Sequence, residues 1–135
     1  MALMQDIAPN VGPSYRQAST IAAGVMLISV CEELDRIAER RVVENAALRG
    51  IFGDAAPAVT DAALRARLDE AARSAEAGYR ISQLDAENDR LRALLIELHA
   101  HVESTPGDAA RRIEARIWRE LAASTERRKL SLGAF

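Results

Sequence analysis

Residues 81–102 read ISQLDAENDRLRALLIELHAHV. Within them Ile81, Leu84, Asn88, Leu91, Leu95, Leu98 and Val102 recur at alternating steps of three and four. That period sets all seven along one face of an α-helix. Written as heptads, Ile81, Asn88, Leu95 and Val102 hold position a, and Leu84, Leu91 and Leu98 hold d. β-Branched residues at a, leucine at d and one polar a residue are the preference of a parallel two-stranded coiled coil. Arg80 and Glu87 then fall at g, and Asp85 and Arg92 at e. In a dimer Arg80 would meet Asp85 of a second chain, and Glu87 would meet its Arg92. Leu94 and Ile96 lie off the seam and need cover from a different helix. Three heptads inside a bundle show the same pattern, so the seam can serve a dimer or an intramolecular packing.

The same reading extends upstream. Thr60 reads as an N-cap with Asp61 in the first turn, and Leu64, Leu68, Ala71 and Ala75 line the helix that follows. Gly78 interrupts that region at about 1 kcal/mol relative to alanine. The apolar phase also changes there, which predicts a bend, a stutter or a short break. Earlier, Pro9, Gly12 and Pro13 mark residues 1–13 as an irregular lead-in. Ser14 and Gln17 have capping-box spacing, and a proline-free helical pattern runs from Tyr15 to about Phe52. Its seam is Leu27, Cys31, Leu34, Ala38, Arg41, Asn45, Leu48 and Phe52. Val30, Ile37, Val42 and Ile51 widen the stripe toward that of a bundle helix. Gly53 stands where a left-handed C-terminal residue is expected.

Downstream, Thr105 as N-cap, Pro106 at the first helical position and Asp108 at the third predict a helix to about Arg128. Ala110, Ile113, Ile117 and Leu121 form its face, with Trp118 beside it. Leu130, Leu132 and Phe135 end the chain as an apolar tail.

Composition agrees with these elements. Hydrophobic residues, dominated by alanine, make up 49% of the 135 residues and aromatic residues only 4%, a balance that favours close-packed helices over sheets. The expected fold is all-α: an antiparallel bundle of three long helices, or four if the second region breaks near Gly78. It occupies residues 14–128 as a single domain, followed by a tail at 129–135. Long helices expose more apolar stripe than one short helix can cover, so the chain is expected to form a homodimer. The expected interface is Ile81, Leu84, Asn88, Leu91, Leu95 and Leu98. Were Asn88 to face its own copy across a dimer axis, Asn88→Leu would raise stability and loosen the choice of assembly. Were it to bond within its own chain, the assembly state would not change.

Several function classes are disfavoured. The single cysteine, Cys31, permits no intrachain disulfide, and the neighbouring Glu32 and Glu33 oppose a reactive thiolate. The apolar run Ile21–Cys31 is too short to span a bilayer and reads as a buried helix turn. Residues 1–11 lack the basic-then-apolar order of a signal peptide, so a cytoplasmic setting is expected. Scattered glycines form no phosphate loop, and G-x-S-x-G, H-E-x-x-H and paired-cysteine motifs are absent from the sequence. No general acid, base and nucleophile come together, so no enzyme activity and no cofactor are expected.

Potential metal ligands concentrate in Glu97, His99, His101 and Glu103. Glu97 and His101 are one helical turn apart, as are His99 and Glu103, but the two pairs lie on nearly opposite faces. A site would therefore need carboxylates from another helix, and solvated helix-face residues are the plainer reading. Net charge is −2 overall, with 11 basic and 16 acidic residues through 107 and 7 basic and 4 acidic after it. Arg112, Arg116 and Arg119 share one side of the last helix, a candidate basic face. Glu114, Glu120 and Glu126 are interleaved, which favours a salt-bridged surface over nucleic-acid binding.

One internal echo remains: 44–52 read ENAALRGIF and 87–95 read ENDRLRALL. Both give E-N-x-x-L-R with the Asn on a seam, although a low-diversity helical sequence produces such echoes by chance. The stretches 44–52 and 88–103 (NDRLRALLIELHAHVE) resemble segments of small all-helical bacterial proteins without an assigned function. The resemblance associates them with genes for acyl-CoA dehydrogenases and phosphotransferase-like kinases. It covers about a quarter of the chain and brings no catalytic residue with it. The expected role is a non-catalytic, self-associating interaction or accessory protein acting on a metabolic enzyme. The alternatives are a ligand- or metal-binding bundle, and a nucleic-acid-associated protein using the last helix.

Overall fold

The computed structural model describes residues 2–130, so Leu132 and Phe135 of the expected tail lie outside the described residues. Every regular element among the described residues is helical. The α-helices are α1 (Ser14–Ala55), α2 (Ala62–Arg73), α3 (Ile81–Ser104) and α4 (Asp108–Arg127). A π-helical turn at Leu3–Ile7 and 3-10 turns at Ala8–Asn10 and Ala56–Ala58 complete them. Contacts group the chain into two compact units, one reaching to Arg36 and one spanning Ile37–Lys129. The sequence treats 14–128 as one domain because the division falls inside the unbroken helical pattern of α1.

The expected helices are present, but their ends differ by a few residues, each for a local reason. The Pro13 carbonyl accepts from Arg16 N at 2.7 Å, so Ser14 is the first helical residue and not the cap. Gln17 Nε2 donates to Pro9 O at 3.1 Å and closes no capping box. α1 runs through Gly53 to Ala55, and Gly53 has no positive φ. Pro57 lacks an N–H, and the chain passes into a 3-10 turn there. Asp61, not Thr60, caps α2: its side chain accepts from Ala63 N at 2.8 Å and Leu64 N at 3.0 Å. Those two backbone donors hold its carboxyl below the usual range. Thr105 ends α3, its hydroxyl donating to His101 O at 2.7 Å, and so it cannot start α4. Gly107 takes that place with φ 128° and ψ 167°, a region open essentially to glycine alone.

The interruption expected near Gly78 is a full break. α2 stops at Arg73, Ser74 is extended, and helix resumes only at Ile81. The second region is thus two helices. Within the unit 37–129, Leu48, Ile51, Phe52, Val59, Leu64, Leu68, Leu91, Leu94, Leu95, Leu98, Val102 and Ile117 close into one core. Leu91, Leu95, Leu98 and Val102 of the α3 seam belong to it. Leu84, Asn88, Leu91, Leu95 and Leu98 are all buried within the single chain, and of the expected interface only Ile81 stays exposed. The break is the reason: once residues 74–80 leave the helix, α2, α1 and α4 can all reach α3 and cover its leucines. Leu94 is covered as well, while Ile96 is left outside.

In the unit that reaches to Arg36, Gly24 of α1 sits against the Met4 and Leu3 side chains, close enough that a Cβ would meet Met4 Cγ at 2.6 Å. Ala8 is buried there. The run Ile21–Cys31, read above as a buried turn, is otherwise largely exposed. Val25, Met26, Leu27, Val30 and Cys31 all face outward.

Candidate functional site

The two E-N-x-x-L-R copies meet. Asn88 Nδ2 donates to Asn45 Oδ1 at 2.8 Å, with both residues fully buried. Arg49 Nη2 of the first copy donates to Glu87 Oε1 of the second at 2.7 Å. Reciprocally, Arg92 Nη2 of the second lies 3.6 Å from Glu44 Oε2 of the first. Exchanging the copies maps the Arg49–Glu87 pair onto the Arg92–Glu44 pair, whereas Asn45 Nδ2 donates elsewhere, to Glu76 Oε2 and Leu84 O. Of the charged residues paired above with a second chain, Asp85, Glu87 and Arg92 have partners within this one. Asp85 accepts from Arg41 Nε, and Glu87 from Arg49 and Arg90.

Glu44 is the centre of this network, only 1% exposed. Its oxygens accept from Ser124 Oγ at 2.7 Å, Arg128 Nη2 at 2.9 Å and Arg41 Nη1 at 3.1 Å. Burial alone would push the carboxyl up. The hydrogen bonds from Ser124 and Arg128 and the neighbouring positive charge outweigh it, and Glu44 is held below its ordinary value. Such a carboxylate stays charged near neutral pH and is a poor proton donor or base. Its role is to tie α1, α3 and the end of α4 together. A second arm of the network pins the break: Arg49 donates to Ser74 Oγ at 3.0 Å and to Glu76 Oε1 at 2.6 Å.

Asn88 bonds within its own chain, accepting from Arg92 Nε at 2.9 Å in addition to its contact with Asn45. Asn88→Leu is expected to leave the assembly state unchanged and to destabilise by about 1–3 kcal/mol, because buried partners lose their hydrogen bonds. Light scattering with urea unfolding checks this. A variant that is more stable and forms larger assemblies would return Asn88 to a dimer axis.

Of the expected metal candidates, the structure gathers two and separates two. Glu97 is engaged by Arg67, Nη1 to Oε1 at 3.0 Å, which holds its carboxyl below the usual range. His101 is not part of the cluster. His99 and Glu103 stand with Glu114 of α4, one ligand atom from each lying within 4.8 Å of the others. His99 Nε2 is 3.6 Å from Glu103 Oε1 and is buried with no hydrogen-bond partner. The His99 ring meets Trp118 edge-on, centroids 5.4 Å apart at 83°. Sequence reasoning missed Glu114 because its approach depends on how α3 packs on α4. It missed Ser124 and Arg128 for the same reason.

Arg112, Arg116 and Arg119 do lie together, lining one shallow cavity with Asp54, Ala58, Ala109 and Ile113. Arg116 pairs with Asp54. Other cations of the last helix and of the two residues after it are likewise engaged: Arg111 by Asp108, Arg127 by Glu120, Arg128 by Glu44 and Lys129 by Glu126. The positive excess of residues 108–135 is thus spent largely on carboxylates of the same chain. Among the described residues no helix is long and apolar enough to cross a membrane. Comparison of the chain with protein-family models, with curated proteins and with solved structures finds no match.

Proposed function

We propose that this chain is a non-catalytic helical interaction protein that works as a homodimer, joined through the first half of α1. The carrying observation is the exposure of Met26 at 68%, Leu27 at 60%, Val30 at 53% and Leu34 at 62%. Tyr15, Ile21 and Val25 are exposed on the same stretch. A helix that is apolar all round belongs in an interior, so a surface of this kind marks an interaction site.

A second copy is the favoured occupant for two reasons. Between Ile21 and Cys31 the helix carries no charged residue, so it offers nothing to a charged partner. Leu27, Cys31 and Leu34 continue the four–three step, which pairs with its own copy in register. Ala18, Ala22 and Ala23 leave room for two helices to approach closely. The stretch from Tyr15 to Leu34 is ~30 Å long, and an interface of ordinary size needs about 20–30 residues from each side. The dimer thus replaces the α3 seam with α1 as its contact. The resemblance to small bacterial proteins associated with metabolic genes directs the assembled form toward an enzyme partner in the cytoplasm. The arrangement around Glu44 supports a structural rather than a catalytic reading.

Light scattering at tens of micromolar is expected to give a dimer. Leu27→Glu combined with Leu34→Glu is expected to give a monomer with an unchanged helical circular dichroism spectrum, because both side chains already face outward. A native monomer, or a doubly substituted chain that still dimerises, would overturn the proposal.

A further inference from the structure

We propose that His99 and Glu103 of α3, together with Glu114 of α4, bind one divalent first-row transition cation of the zinc type. The first argument is spacing. His99 and Glu103 are one turn apart on the same helical face, and Glu114 reaches them from the neighbouring helix. Ligand atoms on a tetrahedral ion with bonds of ~2.0–2.2 Å lie ~3.3–3.6 Å apart. The His99–Glu103 separation of 3.6 Å is already close to that. The full set, within 4.8 Å, closes by rotation of the glutamate side chains, of which Glu103 is exposed and Glu114 half-buried.

The second argument is the imidazole. A buried polar atom without a hydrogen bond costs free energy unless something satisfies it. His99 Nε2 is such an atom, and it lies 3.6 Å from Glu103 Oε1. Trp118 stands against the ring edge-on and limits its rotation, as a ligand residue requires. Charge agrees: two carboxylates and one neutral imidazole leave a site of −2, matched to a dication. The nitrogen ligand selects zinc, nickel or cobalt over magnesium and calcium, which prefer all-oxygen sites. Three protein ligands leave a coordination position open to water or to a ligand carried by a partner.

The chain contains one tryptophan, and it is the residue beside His99. Ni²⁺ or Co²⁺ bound there should quench its fluorescence, and Zn²⁺ should compete and restore it. On the full chain, Ni²⁺ is expected to quench saturably at micromolar concentration with one ion per chain, and Mg²⁺ to have no effect. Glu114→Gln and Glu103→Gln are each expected to weaken binding by about tenfold or more while the helical spectrum is kept. His101→Ala is expected to bind as the native chain does. Absence of quenching by millimolar Ni²⁺ would overturn the proposal. So would one ion per two chains, equal binding of Mg²⁺, or affinity that survives both glutamate substitutions. The self-association test stands apart from this one, because none of the three ligands lies in the first half of α1.

Discussion

Glu44→Ala is expected to lower stability by about 3 kcal/mol, within the range for removing one partner of a buried ion pair. The residue sits beneath Arg41, Arg92 and Arg128 and accepts from Ser124, so its loss leaves several donors without an acceptor at once. Arg92 and Arg128 keep part of their surface in water, which limits the penalty to the lower end of that range. Urea unfolding followed by circular dichroism measures the loss. A variant within about 0.5 kcal/mol of the native chain would show that the network carries no net stability.

The pH dependence of the same residue has a definite sign. Its folded carboxyl titrates below the ordinary value of 4.5, so the unfolded chain binds the proton more readily. The contribution is fully present above that ordinary value and is lost as pH falls through the lower folded value. The gap between native chain and Glu44→Gln should therefore be constant near neutrality and narrow below the ordinary value. A gap that widens on acidification would contradict the assignment.

Phe52→Ala is expected to cost about 4 kcal/mol, by lost burial and by the cavity left behind. Phe52 is fully buried and belongs to the same core cluster as Leu48, Ile51, Ala55, Leu68, Leu91 and Leu98. With aromatic residues at only 4% of the chain, few other large rings could fill the gap. The alanines at 55, 56 and 71 have no further reach to close the space. Phe52→Leu, which keeps most of the volume, should cost much less. Equal losses for the two variants would place Phe52 at the edge of the core.

Both variants bear on the larger unit, residues 37–129, and neither substitution touches the exposed stretch of α1. The self-association proposed for that stretch is therefore expected to be unaffected wherever the variant remains folded. That separation makes the stability tests and the assembly test readable independently.

Local order was legible in the residues themselves. The three–four spacing from Ile81 to Val102 is a property of one helix and needs no neighbour to be recognised. The same holds for the proline-free run of α1 and for the discontinuity near Gly78, where phase and propensity fail together. The expected N-caps lie within two residues of the observed ones, whereas the helix end expected at Gly53 is passed by α1. Their errors at Ser14, Thr60 and Thr105 arose where an adjacent residue made the better hydrogen bond or, at Gly107, supplied the required backbone angle.

What the α3 seam packs against was decided only by the tertiary structure. Leucines at a and d specify that a face must be covered, because apolar burial has no direction, and a helix of the same chain satisfies them as well as a second chain does. The break at 74–80 lets α1, α2 and α4 cover the α3 leucines, while Met26, Leu27, Val30 and Leu34 are exposed. The Glu44–Ser124 bond joins residues 80 positions apart, and Glu114 meets His99 only through the packing of α4 on α3. Periodicity reports which residues share a face of one helix, while such contacts depend on how separate helices are set against each other.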